Sequence, residues 1–347
     1  MKVLITGGAG FIGSHLAEYL LGRGEKVEVL DDLSSGELQN IAAIKGHPNF
    51  SCVIDSVLNR EALKKLIKRN DFIFHLAAAV GVKMVIEEPI KSIKINVEGT
   101  QNILEFACRF KKKVLLASTS EVYGKNEKIP FSEESSFLLG STEIRRWSYA
   151  CTKLLDEFLS FAYFQKEGLP VIVVRLFNTI GPRQSGEYGM VVPRFIKQAL
   201  NGEPITVYGD GKQLRCFTDV SDVVEVMASL AKEPRAFGKV FNIGNPKTAI
   251  SINELAKLIK KLTKSKSKII HIPYQRAYRE GFVDMEKRVP DIGKIQRLIN
   301  FSPKVNLPEA LTKIIEYHRD IVLSSQRQPR LATTKMANQG WQLHKKM

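Results

Sequence analysis

Apolar residues follow two alternating patterns along the first half of the chain. Short, nearly continuous apolar runs predict buried strands at 2–6, 26–30, 50–54, 72–76, 113–118 and 171–176. Between them, apolar residues recur at helical spacing and predict helices over 11–23, 60–69, 87–110 and 147–167. Strand–helix alternation of this kind implies an α/β fold with a doubly wound parallel sheet. Ligands of such sheets lie beyond the C-terminal strand ends, in the crevice where strand order reverses. After Gly181-Pro182 the elements shorten, and Pro and Gly become more frequent. Residues 1–180 therefore read as one domain and 181–323 as a smaller α/β domain covering the crevice, with the strand-like 239–245 returning to the first. Residues 324–347 lack an apolar period and read as a basic tail.

The densest local signal is MKVLITGGAGFIG at the start of the chain. Val3, Leu4 and Ile5 run straight into Gly7, Gly10 and Gly13, a helical segment follows, and the next apolar run ends in Asp31 and Asp32. Glycine is required where backbone turns sharply, approaches a pyrophosphate, or packs closely against a helix. The helix N-terminus offers unpaired N–H groups and a positive dipole end to phosphate. Asp31, 18 residues after Gly13, is in reach of an adenosine ribose hydroxyl. Strand, glycine turn, helix and acid together point to a dinucleotide.

Composition narrows the setting. The chain has 347 residues, 44% hydrophobic and 25% charged, as expected of a globular protein. No uncharged apolar run approaches the roughly 18 residues of a membrane span. A strand beginning at residue 2 leaves no room for a signal peptide. Cys52, Cys108, Cys151 and Cys216 form no C-x-x-C pair, which implies free thiols in a cytoplasmic protein and no metal site. The net charge of +16 raises the question of nucleic acid, but 11 of those charges sit in 257–268 and in the tail. Neither stretch interleaves its lysines with aromatic stacking platforms, so both read as solvated basic surface rather than a nucleic-acid site.

Tyr149 and Lys153 stand four apart at the start of the helical segment WSYACTKLLDEF and so share a helix face. An ammonium beside a phenol favours phenolate, which would lower the Tyr149 pKa towards working pH. Such a base removes a hydroxyl proton while hydride leaves the same carbon. The preceding strand ends in Ser118-Thr119-Ser120, where a hydroxyl can hold the substrate oxygen beside the tyrosine.

These residues resemble the extended short-chain dehydrogenase/reductase family, in particular its nucleotide-sugar epimerases, dehydratases and decarboxylases. TGGAGFIG, HLAA (75–78), Asn96 in INVEGT, STSEVYG (118–124), YACTK (149–153) and RLFNTIGPR (175–183) match in order. VVPRFIKQALNGEPITVYGDGKQLRCFTDVSD (191–222) is similar to the family's nucleotide-sugar domain. One position departs: the usual Gly-Asp-Ile/Val after strand three reads Asp55-Ser56-Val57. The resemblance implies a Rossmann sheet and a resident NAD, reduced and reoxidised within one turnover. It assigns the cofactor to Gly7, Gly10, Phe11, Ile12, Gly13, Asp31, Asp32, Ser56, Val57, Leu76, Ala77, Ala78, Asn96 and Ser118, with Tyr149 and Lys153. Tyr149 would be the base, Lys153 would hold the ribose and tune it, and Thr119 or Ser118 would bind the reacting hydroxyl. Asn178, Val192, Tyr208 and Arg215 would take the nucleotide, the Arg fork matching phosphate oxygens.

The same resemblance separates three outcomes of oxidation at the sugar C4. A 4,6-dehydratase carries Thr-Asp-Glu with the Asp as acid; here the triplet is Thr119-Ser120-Glu121, which argues against dehydration. A uronate decarboxylase turns its C6 carboxylate into a β-keto acid that loses carbon dioxide, and Ser-Glu looks like that version, with Glu121 placing water or a proton for C5. YREGFVDMEKRVPD (278–291) and RRWSYAC (145–151) are similar to ArnA-type UDP-glucuronate decarboxylases and plant UDP-apiose/xylose synthases. In that group the Arg matching Arg288 lies at the carboxylate; in 4-epimerases it contacts the diphosphate. Arg183 is a second carboxylate candidate, and RLFNTIGPR lacks the Trp of the ArnA-type segment. UDP-glucuronate decarboxylation is thus the first expectation, UDP-sugar 4-epimerisation the second, and an NAD-binding regulator the non-enzyme alternative. The family also implies a homodimer packed through 87–110 and 147–167, with Ile103, Leu104 and Ala107, and Leu155, Phe158, Leu159 and Ala162, at suitable spacing.

Overall fold

The computed structural model describes residues 1–186, 189–277 and 284–327. The first half runs β1 (Lys2–Thr6), α1 (Phe11–Leu21), β2 (Lys26–Asp31), β3 (Phe50–Ile54), α2 (Arg60–Arg69), β4 (Phe72–His75), α3 (Val82–Glu87), α4 (Pro89–Arg109), β5 (Lys113–Thr119), α5 (Trp147–Glu167) and β6 (Val171–Leu176). Six strands appear where the apolar runs lie. The helix expected over 87–110 starts at Pro89, whose missing N–H is harmless in a first turn, and a short α3 precedes it.

The second half runs β7 (Thr179–Ile180), α6 (Val191–Leu200), β8 (Ile205–Tyr208), β9 (Leu214–Arg215), β10 (Thr218–Asp219), α7 (Val220–Ala231), β11 (Lys239–Ile243), β12 (Ile250–Ser251), α8 (Ile252–Thr263), β13 (Ile269–Ile272), α9 (Tyr274–Ala277), β14 (Lys287–Arg288), α10 (Gly293–Ile299) and α11 (Leu307–Arg327). A seven-stranded parallel sheet has the order β11-β6-β5-β4-β1-β2-β3. Its strands are apolar along nearly their whole length because helices cover both faces. β11 pairs with β6, and α7 packs its Val220, Val223 and Met227 into the cluster that holds Leu16 and Leu20 of α1. Two segments from beyond residue 181 are therefore built into the larger unit. A second apolar cluster joins α6, α8 and α11 through Phe195, Leu255, Ile259 and Leu311.

Strand order reverses between β1 and β4: the chain moves outward from β1 through β2 and β3, then returns to the other side. The crevice above those strand ends is where this topology opens a binding site. Ile103, Leu104 and Ala107 are fully buried against α2, β1 and β5, so they serve the core and not an outer face. Leu155 and Phe158 differ: Phe158 is 64% exposed, with Ile90 and Ile93 of the neighbouring α4 also exposed. Among the described residues no helix is long and apolar enough to cross a membrane. The tail from 328 and residues 278–283 of the YREGFVDMEKRVPD segment lie outside the described residues.

Candidate active site

The glycine turn has the geometry its residues demand. Gly7 has φ +73°, and a Cβ there would lie 2.8 Å from the Ala77 nitrogen. A Cβ on Gly13 would lie 2.2 Å from the Gly7 carbonyl oxygen. Only bare backbone lets α1 begin this close to the β1 and β4 ends. Gly10 caps α1 without a side-chain hydrogen bond, and no acid occupies the first turn, so its N–H groups face the crevice unmatched. The Asp31 carboxylate accepts from the Ala9 and Leu33 N–H groups, at 2.9 Å each. Burial raises its pKa against those bonds. Each oxygen keeps a lone pair, and Asp31 and Asp32 both face the cavity.

A continuous cavity of about 460 Å³ runs from this turn across the ends of β4 and β5 to the second-half segments. Gly7, Gly10, Phe11, Ile12, Gly13, Val57, Leu76, Ala77 and Ala78 line it, and Asp55 lines it where Ser56 does not. Ser56 is turned into its own bend, its hydroxyl accepting from the Leu58 N–H. Asn96 stands behind the wall: its Oδ1 accepts from the Ala79 N–H at 2.8 Å, and its amide reaches Thr152. It shapes the loop after β4 instead of facing a ligand. The Ser118 hydroxyl is likewise committed, donating to Glu157, which is paired with Arg175. A cradle that a Cβ would fill and an uncapped helix start fit a dinucleotide's diphosphate, and the acids at the β2 tip fit its ribose hydroxyls.

Tyr149, in the first turn of α5, reaches the end of β5 and is hydrogen-bonded to Thr119. Its pKa is raised, contrary to the expectation from Tyr-x-x-x-Lys. Burial is the main cause, with the Glu121 and Asp156 charges adding to it against the Thr119 bond and Arg288. Lys153 does not offset them, because its Nζ is held 2.9 Å from Asp156 in a pair only 2% and 1% exposed. Without ligand the phenol stays protonated at neutral pH, so its ionisation depends on charge brought into the cavity.

Beyond Tyr149 the wall changes character. Asp284 accepts from Arg146 and Arg215, each at 2.9 Å, and from the Tyr274 hydroxyl at 3.0 Å. Arg288 Nη1 lies 3.4 Å and Arg146 Nη2 3.8 Å from Glu121 Oε1. Burial opposes ionisation of Asp284, but Arg215, Arg146 and Arg288 hold its carboxyl far below the usual range. Burial and then Arg215 push Arg288 down to about 10, which leaves it charged at neutral pH. Three cations therefore face two carboxylates, a surplus of one positive charge on a desolvated wall.

The structure brings Thr119, Ser120, Glu121, Tyr149, Arg215 and Arg288 to this end of the cavity, with Asn178, Val192 and Tyr208 also on its lining. Arg183 also lines the cavity, on its α1 side: it pairs with Glu18 at 2.6 Å and reaches Ser14, both on α1, from a left-handed backbone (φ +69°). It is thus tied to the glycine-turn helix and not to the Arg288 group. Arg146 and Asp284 were not anticipated. Arg146 stood in the noted RRWSYAC run and Asp284 in YREGFVDMEKRVPD, but neither spacing revealed that the two would meet.

A sheet that reverses above a glycine turn, with a buried tyrosine at its edge and an arginine-rich far wall, has the layout of an α/β enzyme with a dinucleotide half and a substrate half. The family model described as GDP-mannose 4,6 dehydratase matches residues 4–314. A UDP-N-acetyl-alpha-D-glucosaminuronate decarboxylase of Bacillus cytotoxicus is 45% identical over 92% of this chain and 98% of its own. UDP-glucuronic acid decarboxylase 1 of Xenopus tropicalis is 40% identical over 92% of this chain and 72% of its own. The solved UDP-glucuronic acid 4-epimerase of Bacillus cereus, in complex with UDP-glucuronic acid and NAD, superimposes with a TM-score of 0.84 at 29% identity, covering 92% and 100% of the two chains. The chain belongs to the extended short-chain dehydrogenase/reductase family of nucleotide-sugar-modifying enzymes.

Proposed function

We propose that the protein is an NAD-dependent decarboxylase of a UDP-linked uronate, with UDP-glucuronate as substrate and UDP-xylose as product. The observation that carries this reading is the surplus positive charge of Arg146, Arg215 and Arg288 against Glu121 and Asp284, beside Tyr149. The relatives named for uronate decarboxylation support it.

Gly7, Gly10, Gly13 and Asp31 would hold NAD, whose nicotinamide would supply hydride exchange with the sugar C4. Tyr149, once ionised by the positive charge that the cofactor would bring into the cavity, takes the proton of the C4 hydroxyl, and Thr119 keeps that oxygen in place. Arg288 holds the C6 carboxylate. With a ketone at C4, the C5–C6 electron pair moves towards the C4 oxygen and carbon dioxide leaves. Tyr149 and Thr119 stabilise the resulting enolate oxygen by hydrogen bonding. A solvent proton, passed through a water that the Glu121 carboxylate positions, goes to C5, and Tyr149 returns its proton to the C4 oxygen. Ser120 stands where dehydration would need an acid.

A 2-acetamido uronate is a second reading, favoured by the 45% identity to the Bacillus cytotoxicus enzyme. Proton NMR of the purified protein with UDP-glucuronate and with UDP-N-acetylglucosaminuronate tests both. A new C5 methylene with loss of the carboxylate supports decarboxylation, and the faster substrate identifies the C2 group. A retained carboxylate with inverted C4 coupling would instead make the protein a 4-epimerase.

We also read the chain as a cytoplasmic homodimer. The exposed apolar residues Ile90 and Ile93 of α4 and Leu155 and Phe158 of α5 support a helical interface between copies. The free cysteines support a reducing compartment.

A further inference from the structure

Asp156 is a buried carboxylate that the proposed reaction leaves unused. Tyr149, Lys153 and Asp156 follow one another at spacings of four and three along α5, so all three lie on one face of the helix. Lys153 Nζ stands 2.9 Å from Asp156 Oδ2, and both side chains are almost wholly buried. Among the described residues that carboxylate is the one ion-pair partner of Lys153.

The other charged and titratable groups packed against this face are engaged elsewhere. Glu157, the next residue of α5, is paired with Arg175 of β6. His75 of β4 bonds Thr6 and Thr100, and burial and the Lys153 charge keep it neutral. Glu121, after β5, faces Arg288 of β14 and Arg146. Burial opposes the Asp156 charge, while the Lys153 ammonium and the Thr100 hydroxyl of α4 favour it. Burial apart, Glu121 and Asp156 are the charges set against ionisation of Tyr149, and only Glu121 has a place in the proposed proton path.

A buried ion pair is weak support for a fold, because desolvating two charges costs about as much as their attraction returns. Two apolar residues would pack between the helices equally well. They would not place an ammonium one turn and a carboxylate two turns from a phenol. The ammonium favours phenolate and the carboxylate opposes it. With Nζ drawn onto Asp156, the carboxylate prevails.

We propose that Asp156 is a positioning residue for the reaction, its carboxylate restraining the Lys153 ammonium and thereby governing how readily Tyr149 gives up its proton. This rests on the reading of Tyr149 as the base.

The dependence of kcat on pH, measured with the purified full chain and the faster of the two uronates, tests it. Its acid limb reports ionisation of the base in the substrate complex. Asp156→Asn keeps the shape of the side chain and removes its charge. The phenol should then ionise more readily, and the limb should move about one pH unit or more towards acid. Asp156→Ser removes the charge with a smaller group and should move the limb the same way, should the amide disturb folding. Asp156→Glu keeps the charge and should leave the limb at its wild-type place. A purely structural Asp156 would lower kcat or stability in these variants without moving the limb. That result, or a move towards alkali, would overturn the proposal. Tyr149→Phe separates the two readings. If it keeps wild-type turnover, the base assignment falls and this inference with it. If it is inactive while the Asp156→Asn limb stays in place, only the role of Asp156 falls. If the wild type turns over neither uronate, the reading of the site itself is wrong and the inference goes with it.

Discussion

At one end of the cavity Gly7, Gly10 and Gly13 present bare backbone, and the acids nearest to them sit at a strand tip. At the other end Arg146, Arg215 and Arg288 crowd around Asp284 and Glu121, drawn from the start of α5, from β9, from β14 and from the loops beside them. The first end works through space and helix-end N–H groups, and its side-chain charge is the acids Asp31, Asp32 and Asp55. The second works through desolvated charge with one cation in surplus. The difference teaches that the two ends of one cavity rest on separable physics, and separate substitutions should break them apart.

The largest effect should come from Tyr149→Phe, which sits between the two ends. Turnover should fall by about 10²- to 10⁴-fold, the usual range for a lost general base, with UDP affinity unchanged. At the charged end, Arg288→Ala should lower kcat/KM for a uronate by roughly 10- to 100-fold while resident dinucleotide is retained. Arg288→Lys should not restore it, because an ammonium lacks the planar fork. Steady-state rates and cofactor absorbance together read both outcomes. At the backbone end the pattern should invert. Gly13→Ala places a methyl 2.2 Å from the Gly7 carbonyl oxygen. It should cost about 1–3 kcal/mol of stability and release the dinucleotide, as seen by thermal melting and by cofactor loss on gel filtration.

A further effect, on stability alone, concerns the layer beneath. His75 bonds Thr6 at 2.7 Å and Thr100 at 3.2 Å, and burial, aided by the Lys153 charge, pushes its pKa from 6.5 to about 3. Between those values the unfolded chain binds a proton that the folded chain does not. The stability this neutral histidine contributes is present above pH 6.5 and is lost as pH falls towards 3. The loss should be about 1.4 kcal/mol per pH unit in that window. Urea unfolding at pH 7 and pH 5 should show it, and His75→Gln should flatten the slope.

The two ends also differed in how far the sequence revealed them. The glycine turn was legible because its geometry is local: each glycine answers a contact made within one strand–turn–helix unit or with the next strand. Tyr149 and Thr119 were legible for a similar reason, at a helix start and a strand end. The Tyr149 pKa was misjudged because the sequence gives no sign that Asp156 holds Lys153, or that Glu121 faces the phenol. Arg183 was equally plausible beside Arg288 until α1 supplied Glu18 as its partner. The Arg146–Asp284 contact spans 138 residues, and no spacing rule reaches that far. The helix run Ile103, Leu104 and Ala107 had a pattern fit for either core or interface, and packing against α2 decided it.

Uronate decarboxylation is tested most directly by following UDP-glucuronate labelled with ¹³C at C6 with the purified protein. One labelled carbon dioxide released for each nucleotide sugar converted, with no label left in the product, is the expected result. Conversion with the label retained at C6 would contradict it and leave an enzyme that inverts C4.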